Sequence, residues 1–177
     1  MPPERDEESR LCLRAAGGDR RAFSALVSAH EKRLRAFLGR LAGPELGDEI
    51  AQQSFVKAWQ GLRHFRGEAR FGSWLCAIGW RCYADHLRSE RAEARKRESS
   101  AFGAAEAEPF SGDSRLDLER ALAALDPVER AALILCDGHG WSHVEAADIL
   151  GIPLGTLKGS VARAKRKCRA MLTGEDK

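Results

Sequence analysis

The sequence predicts an all-α protein: two small helical domains joined by a flexible linker, the C-terminal one containing a helix-turn-helix. Three observations predict it. Strand-type alternation is absent, while apolar residues recur at i, i+3, i+4, i+7 along most of the chain. Composition breaks sharply at Glu98, where a stretch rich in Ser, Gly, Ala and acids begins. The last forty residues hold two short helical patterns around a glycine, the second strewn with Lys and Arg.

That last stretch organises the rest. Ser142 is a good N-cap, and Glu145 three residues on completes a capping box. Val144, Ala147, Ile149 and Leu150 give the short helix an apolar side, and Gly151 supplies the turn that ends it. A second helix is expected from Pro153, with Leu154, Leu157, Val161 and Ala164 facing inward. Its outer face then offers Lys158, Ser160, Arg163, Lys165, Arg166, Lys167 and Arg169. A helix so placed would enter the major groove of DNA with its N-terminal residues against base edges.

Net charge is only +3, so bulk charge does not announce a nucleic-acid partner. The distribution does. Six basic residues and no acidic one lie between Thr156 and Ala170, whereas Met1 to Glu8 holds four acids and one base. No apolar run approaches eighteen residues and no export signal is visible, so membrane insertion is not expected and the cytoplasm is. Five unclustered cysteines (Cys12, Cys76, Cys82, Cys136 and Cys168) read as reduced thiols of that compartment.

In chain order, a first helix is expected over Asp6–Ala16, stopped by Gly17-Gly18. Asp19 can cap the next, whose stripe is Phe23, Leu26, Val27, His30, Leu34, Phe37, Leu38 and Leu41. Gly43-Pro44 breaks it. A third runs from about Pro44 to Leu62 and buries Leu46, Ile50, Ala51, Phe55, Ala58, Trp59 and Leu62. After the basic loop Arg63–Arg70, a long fourth helix from Phe71 puts Trp74, Leu75, Ile78 and Cys82 on its core side. Residues 98–113 read as the linker between a 1–97 domain and a 114–177 domain. Sixteen residues at ~3.4 Å each reach at most ~54 Å, the length of about sixteen base pairs. The second domain opens with a helix through Leu116, Leu118, Leu122 and Leu125, followed by Asp126-Pro127 as cap and first-turn proline.

Two separated segments resemble one family. Asp48 to Trp59 (DEIAQQSFVKAW) is similar to a characteristic helix of bacterial sigma factors, and Phe65 to Arg88, with its FGSWLCAIGWR core, to the helix that follows it there. Leu125 to Arg130 and the helix-turn-helix resemble the family's C-terminal domain. A short linker in place of a middle domain marks the extracytoplasmic-function (ECF) type. The resemblance covers about Arg20 to Leu172.

It implies a promoter-specificity subunit of RNA polymerase. Asp48, Glu49, Gln52 and Gln53 would then grip the polymerase core, a face of charges and amides being suited to basic and polar partners. Arg63, Phe65, Arg66, Arg70, Trp80, Arg81 and Tyr83 would take single-stranded bases at the downstream (−10) element. Stacking there supplies ~1–3 kcal/mol per base, against ~1.4 kcal/mol lost per base-pair step opened. Thr156, Lys158, Gly159, Ser160, Arg163, Arg166 and Lys167 would serve the upstream (−35) element as base and phosphate contacts. Arg81 stands where many members carry Asn, and Gly159-Ser160 where Ser and Arg are common. The resemblance further implies an anti-sigma factor as a holding partner.

No phosphate loop, paired-carboxylate motif or complete metal-ligand set is present, so neither an enzyme nor a cofactor nor a bound metal is expected. Cys136, His139 and His143 have some look of a metal site but lack a fourth ligand, and the intervening glycines fit a turn. The alternative reading is a conventional helix-turn-helix transcriptional regulator, which would bind duplex DNA by itself, usually as a dimer.

Overall fold

The computed structural model describes residues 5–65, 67, 69–98 and 114–173. The expected linker, apart from Glu98, and Arg66 of the downstream site lie outside them. Among the described residues the chain forms eight α-helices and no strand. They are α1 (Arg5–Ala16), α2 (Arg20–Ala42), α3 (Pro44–Gly61), α4 (Phe71–Glu98), α5 (Ser114–Ala123), α6 (Pro127–Leu133), α7 (His143–Leu150) and α8 (Leu154–Thr173). A 3-10 turn, Leu62–His64, follows α3, and a π-helical turn, Ile134–Gly138, extends α6.

Local chemistry sets most boundaries. The Asp19 carboxylate accepts from the amides of Arg21 and Ala22 and starts α2. Gly43, at φ +87°, is the only residue between α2 and α3, and Pro44 opens α3 at a position where its missing N–H costs nothing. Asp126 and Pro127 repeat the device at α6. The Ser142–Glu145 capping box is present in both directions: the Ser142 amide donates to Glu145 Oε2 at 3.0 Å, and the Glu145 amide to Ser142 Oγ at 3.2 Å. Gly151 is left-handed (φ 66°, ψ 36°), and the Ile152 amide closes the turn onto the Ala147 carbonyl at 3.1 Å.

The N-terminal half packs α2, α3 and α4 around Leu26, Leu34, Phe37, Leu38, Ile50, Ala51 and Leu75, with α1 laid against α2. The tightest crossing is between α2 and α3. A Cβ built on Gly47 would lie 2.7 Å from the backbone of Gly39 and Leu38, so the two helix backbones touch there. In the C-terminal half, α6, α7 and α8 enclose Ala131, Ala132, Ala146, Ile149, Leu157 and Val161.

Two expectations about facing are corrected. Val144 is 57 % exposed, and Ala146 takes the inward place on α7. Leu154 stands at the solvent-facing start of α8, a full turn before the inward stripe begins at Leu157. The halves also do more than hang from a tether. α4 packs against α7, and α2 against α6 and the π turn, so residues of both halves share one apolar cluster. Trp141, in the connection before α7, is buried in it. Burying a large side chain of this kind stabilises by roughly 2–3 kcal/mol.

Candidate promoter and polymerase interfaces

The acidic face of α3 forms as the periodicity requires. With Ile50, Ala51, Ser54 and Ala58 turned inward, Glu49, Gln52 and Gln53 are exposed and Asp48 half-buried. Gln52 Nε2 donates to Asp48 at 3.1 Å and Gln53 Nε2 to Glu49 at 3.1 Å, two i,i+4 pairs side by side. Arg35 of α2 pairs with Asp48 from the neighbouring helix. The result is a fixed array of carboxylates and amides on a helix whose other side is locked in the core.

The downstream residues separate into two groups. Arg63, Arg70 and Arg81 are exposed cations at the loop and on α4. Phe65 is half-buried, its ring tilted against Trp74 at 4.9 Å between centroids and edge-on to Phe71 at 6.1 Å, so the loop is held by an aromatic cluster beneath it. Trp80 and Tyr83 are a correction: they are 9 % and 4 % exposed, 6.0 Å apart, and belong to the apolar cluster shared by the two halves. Cys76, Trp80 and Tyr83 fall on one side of α4 at helical spacing, and α7 packs against this helix. As the chain stands, they are not available to bases.

On α8 the inward stripe is Leu157, Ser160, Val161, Ala164 and Cys168. Ser160, expected on the outer face, is 1 % exposed and therefore cannot reach a base edge. Its spacing of three from Leu157 and four from Ala164 was the available signal; a polar residue on the core stripe hid it. Thr156, Lys158 and Arg166 are exposed. Arg163 and Lys167 are half-exposed but committed: Arg163 Nε donates to Glu129 Oε1 at 2.9 Å and Lys167 Nζ to Glu129 Oε2 at 2.7 Å. Arg163 Nη2 reaches Ser160 Oγ at 3.2 Å, and the missing side chain of Gly159 leaves room for the Arg163 guanidinium. Burial alone would raise the Glu129 carboxyl, but the hydrogen bonds and charges of Lys167 and Arg163 prevail and hold it below the usual range.

Sequence reasoning missed the ion pair that seats α1 beside the downstream loop. His30 Nε2 donates to Glu8 Oε1 at 2.8 Å, and the Phe71 amide at the start of α4 donates to Glu8 Oε2 at 3.3 Å. One carboxylate thus ties α1, α2 and α4 together. The hydrogen bond from His30 is the main cause that lowers its pKa, against burial, with the His30 charge and the Phe71 amide adding to it. Glu8→Ala would leave two buried donors unsatisfied and should cost about 1–3 kcal/mol. Because the folded pKa is the lower one, this stability is complete above the ordinary value of 4.5 and is lost as pH falls through the folded value. Urea denaturation of the two proteins at pH 7 checks the first claim; matching midpoints would refute it.

Residues 26–93 match the family described as Sigma-70 region 2, and residues 115–168 match Sigma-70, region 4. The chain is 33 % identical to the RNA polymerase sigma factor CnrH of Cupriavidus metallidurans over 99 % of this chain and 98 % of that one. It is 30 % identical to the ECF RNA polymerase sigma factor SigC of Mycobacterium tuberculosis, over 88 % and 85 % of the two chains. Among solved structures, it superimposes with a TM-score of 0.72 and 25 % identity on the sigma factor RpoE of Bartonella quintana, over 85 % of this chain and 96 % of that one. That structure holds the factor in complex with the anti-sigma factor NepR. With both regions matched in order and relatives aligned nearly end to end, the chain belongs to the sigma-70 family of RNA polymerase sigma factors, in its ECF group.

Proposed function

We propose that the chain divides promoter recognition between its halves, with boundaries near 1–97 and 114–177. As a sigma factor it is a non-catalytic initiation factor that binds RNA polymerase core and directs transcription from particular promoters. In our reading the Asp48, Glu49, Gln52 and Gln53 face of α3 docks on core. Arg63, Phe65, Arg66, Arg70 and Arg81 hold the downstream single strand, joined by Trp80 and Tyr83 once α7 has moved away. Thr156, Lys158 and Arg166 meet the upstream duplex directly. Arg163 and Lys167 serve chiefly to seat the recognition helix through Glu129, and Gly159 lets Arg163 lie close.

The observation that supports this best is the capped helix-turn-helix with exposed Lys158 and Arg166 on the face of α8 opposite its core stripe. An anti-sigma protein is the expected inhibitor, by analogy with the complexed RpoE structure. No described helix is long and apolar enough to cross a membrane, and the proposed work is cytoplasmic.

Purified chain added to core polymerase should start transcription from a cognate promoter that core alone ignores. Lys158→Ala should cut that output roughly tenfold, the low end of the ~1–3 kcal/mol a good base contact supplies, with core binding unchanged. Glu49→Lys should instead weaken capture of core. Full output from Lys158→Ala would remove the upstream assignment. Failure of the wild-type chain to bind core would remove the whole reading.

A further inference from the structure

We propose that the C-terminal half closes over α4 as an intramolecular clamp latched at His139, and that acidification opens the clamp by placing a proton on that ring.

The closure is built from specific contacts. Arg33 of α2 donates from Nη2 to the His139 carbonyl at 2.7 Å, and its guanidinium lies over the Trp141 ring, 3.9 Å from the centroid. From the other side, Arg130 of α6 donates to the Leu41 carbonyl at 2.9 Å. Gly72 at the start of α4 makes room: a Cβ there would meet His30 at 3.0 Å and the Trp141 ring at 3.7 Å. The α4 side so approached carries Cys76, Trp80 and Tyr83, all buried.

His139 is the vulnerable part of this junction. Its ring meets Phe37 edge-on at 6.3 Å, and its Nε2 is buried and finds no hydrogen-bond partner. The charged groups that face it come from α2: Arg33 and Arg40. Glu145 of α7 also senses Arg33 but is engaged by Ser142, and Asp137 of the π turn is engaged by Lys165 of α8. On α4, Tyr83 senses Arg130, Glu90 and Arg91, and His30 of α2 is held by Glu8; among the described residues, the charges that act on the His139 ring are the two guanidiniums and no carboxylate. Burial first, then the two guanidiniums, push the ring down to about 4. Once the halves part, the ring regains an ordinary value near ~6.5. The open form therefore binds the proton more tightly. Closure is fully favoured above that value and weakens as pH falls toward the folded one. Between pH 7.5 and 5.5 the open-to-closed ratio should rise roughly tenfold.

That opening unmasks a DNA face rests on the downstream assignment above; the clamp itself does not. Single-molecule energy transfer between dyes at exposed Val56 and Leu172 reads the ratio in the full chain. Arg33→Ala should open the chain at pH 7.5, and on that background, where the open form is well populated, the tenfold pH response should be plain. His139→Phe keeps a ring against Phe37 without the titrating nitrogen and should abolish the response while far-ultraviolet dichroism stays unchanged. A ratio that does not move between pH 7.5 and 5.5, or a response that survives His139→Phe, overturns the proposal. A single-stranded oligonucleotide separates the two ideas: opening with no gain in its binding supports the clamp and rejects the downstream assignment.

Discussion

Gly47→Ala should destabilise the N-terminal half by about 3 kcal/mol, while Gly39→Ala, one helix away at the same crossing, should stabilise it by ~0.5–1 kcal/mol. The opposite signs follow from where each Cβ would point. On Gly47 it meets the Gly39 amide nitrogen and Cα and the Leu38 carbonyl carbon at 2.7 Å, all backbone atoms that no rotamer change can move. Relief requires α2 and α3 to separate, which opens voids around Leu38, Ile50 and Ala51. On Gly39 the Cβ meets nothing within 4 Å, so only the intrinsic helix preference of alanine is felt. Gly47 adjoins Asp48 and Glu49, and Asp48 is paired with Arg35 across this crossing. Loss of stability in Gly47→Ala should therefore bring weaker capture of polymerase core. Chemical denaturation with a core-binding assay on both variants is the check, and equal stabilities would contradict the packing described.

Glu129→Ala should cost the C-terminal half about 2–4 kcal/mol. The carboxylate is buried on α6, and both its oxygens accept from α8, from Arg163 and from Lys167. Because those cations are half-exposed they can rehydrate, which keeps the expected loss below that of a fully buried pair. What is lost is the tie between α6 and the recognition helix α8, together with the filling of the Glu129 site. Glu129→Gln keeps the shape and one acceptor and should lose about half as much. The pH dependence carries the same signature as at Glu8. With the folded carboxyl lowered, the tie is whole above the ordinary value of 4.5 and fails as pH falls through the folded one. Hydrogen exchange along α8 should rise in Glu129→Ala before it rises in α2 or α3. A loss under ~0.5 kcal/mol would show that Glu129 is merely satisfied rather than needed.

The helices, their caps and the turn of the helix-turn-helix were legible in the chain because each rests on neighbours within five residues. Asp19, Pro44, Asp126-Pro127, Ser142 with Glu145, and Gly151 act through short-range hydrogen bonds and backbone freedom, and each stands where its chemistry requires. The acidic face of α3 was legible for the same reason: four polar residues opposite an apolar stripe can face only outward. Tertiary structure decided everything that depends on a distant partner. Ser160 looked like a contact residue until packing turned it inward, and Arg163 and Lys167 looked free until Glu129, more than thirty residues away, claimed them. Glu8 and His30 carry no pairing signal at a separation of 22 residues. Trp80 and Tyr83 were expected to meet single-stranded bases and are buried instead, because periodicity reports which side of a helix is apolar, not which neighbour will cover it. That last choice belongs to the meeting of the two halves, where Arg33, Trp141 and His139 converge from segments about a hundred residues apart.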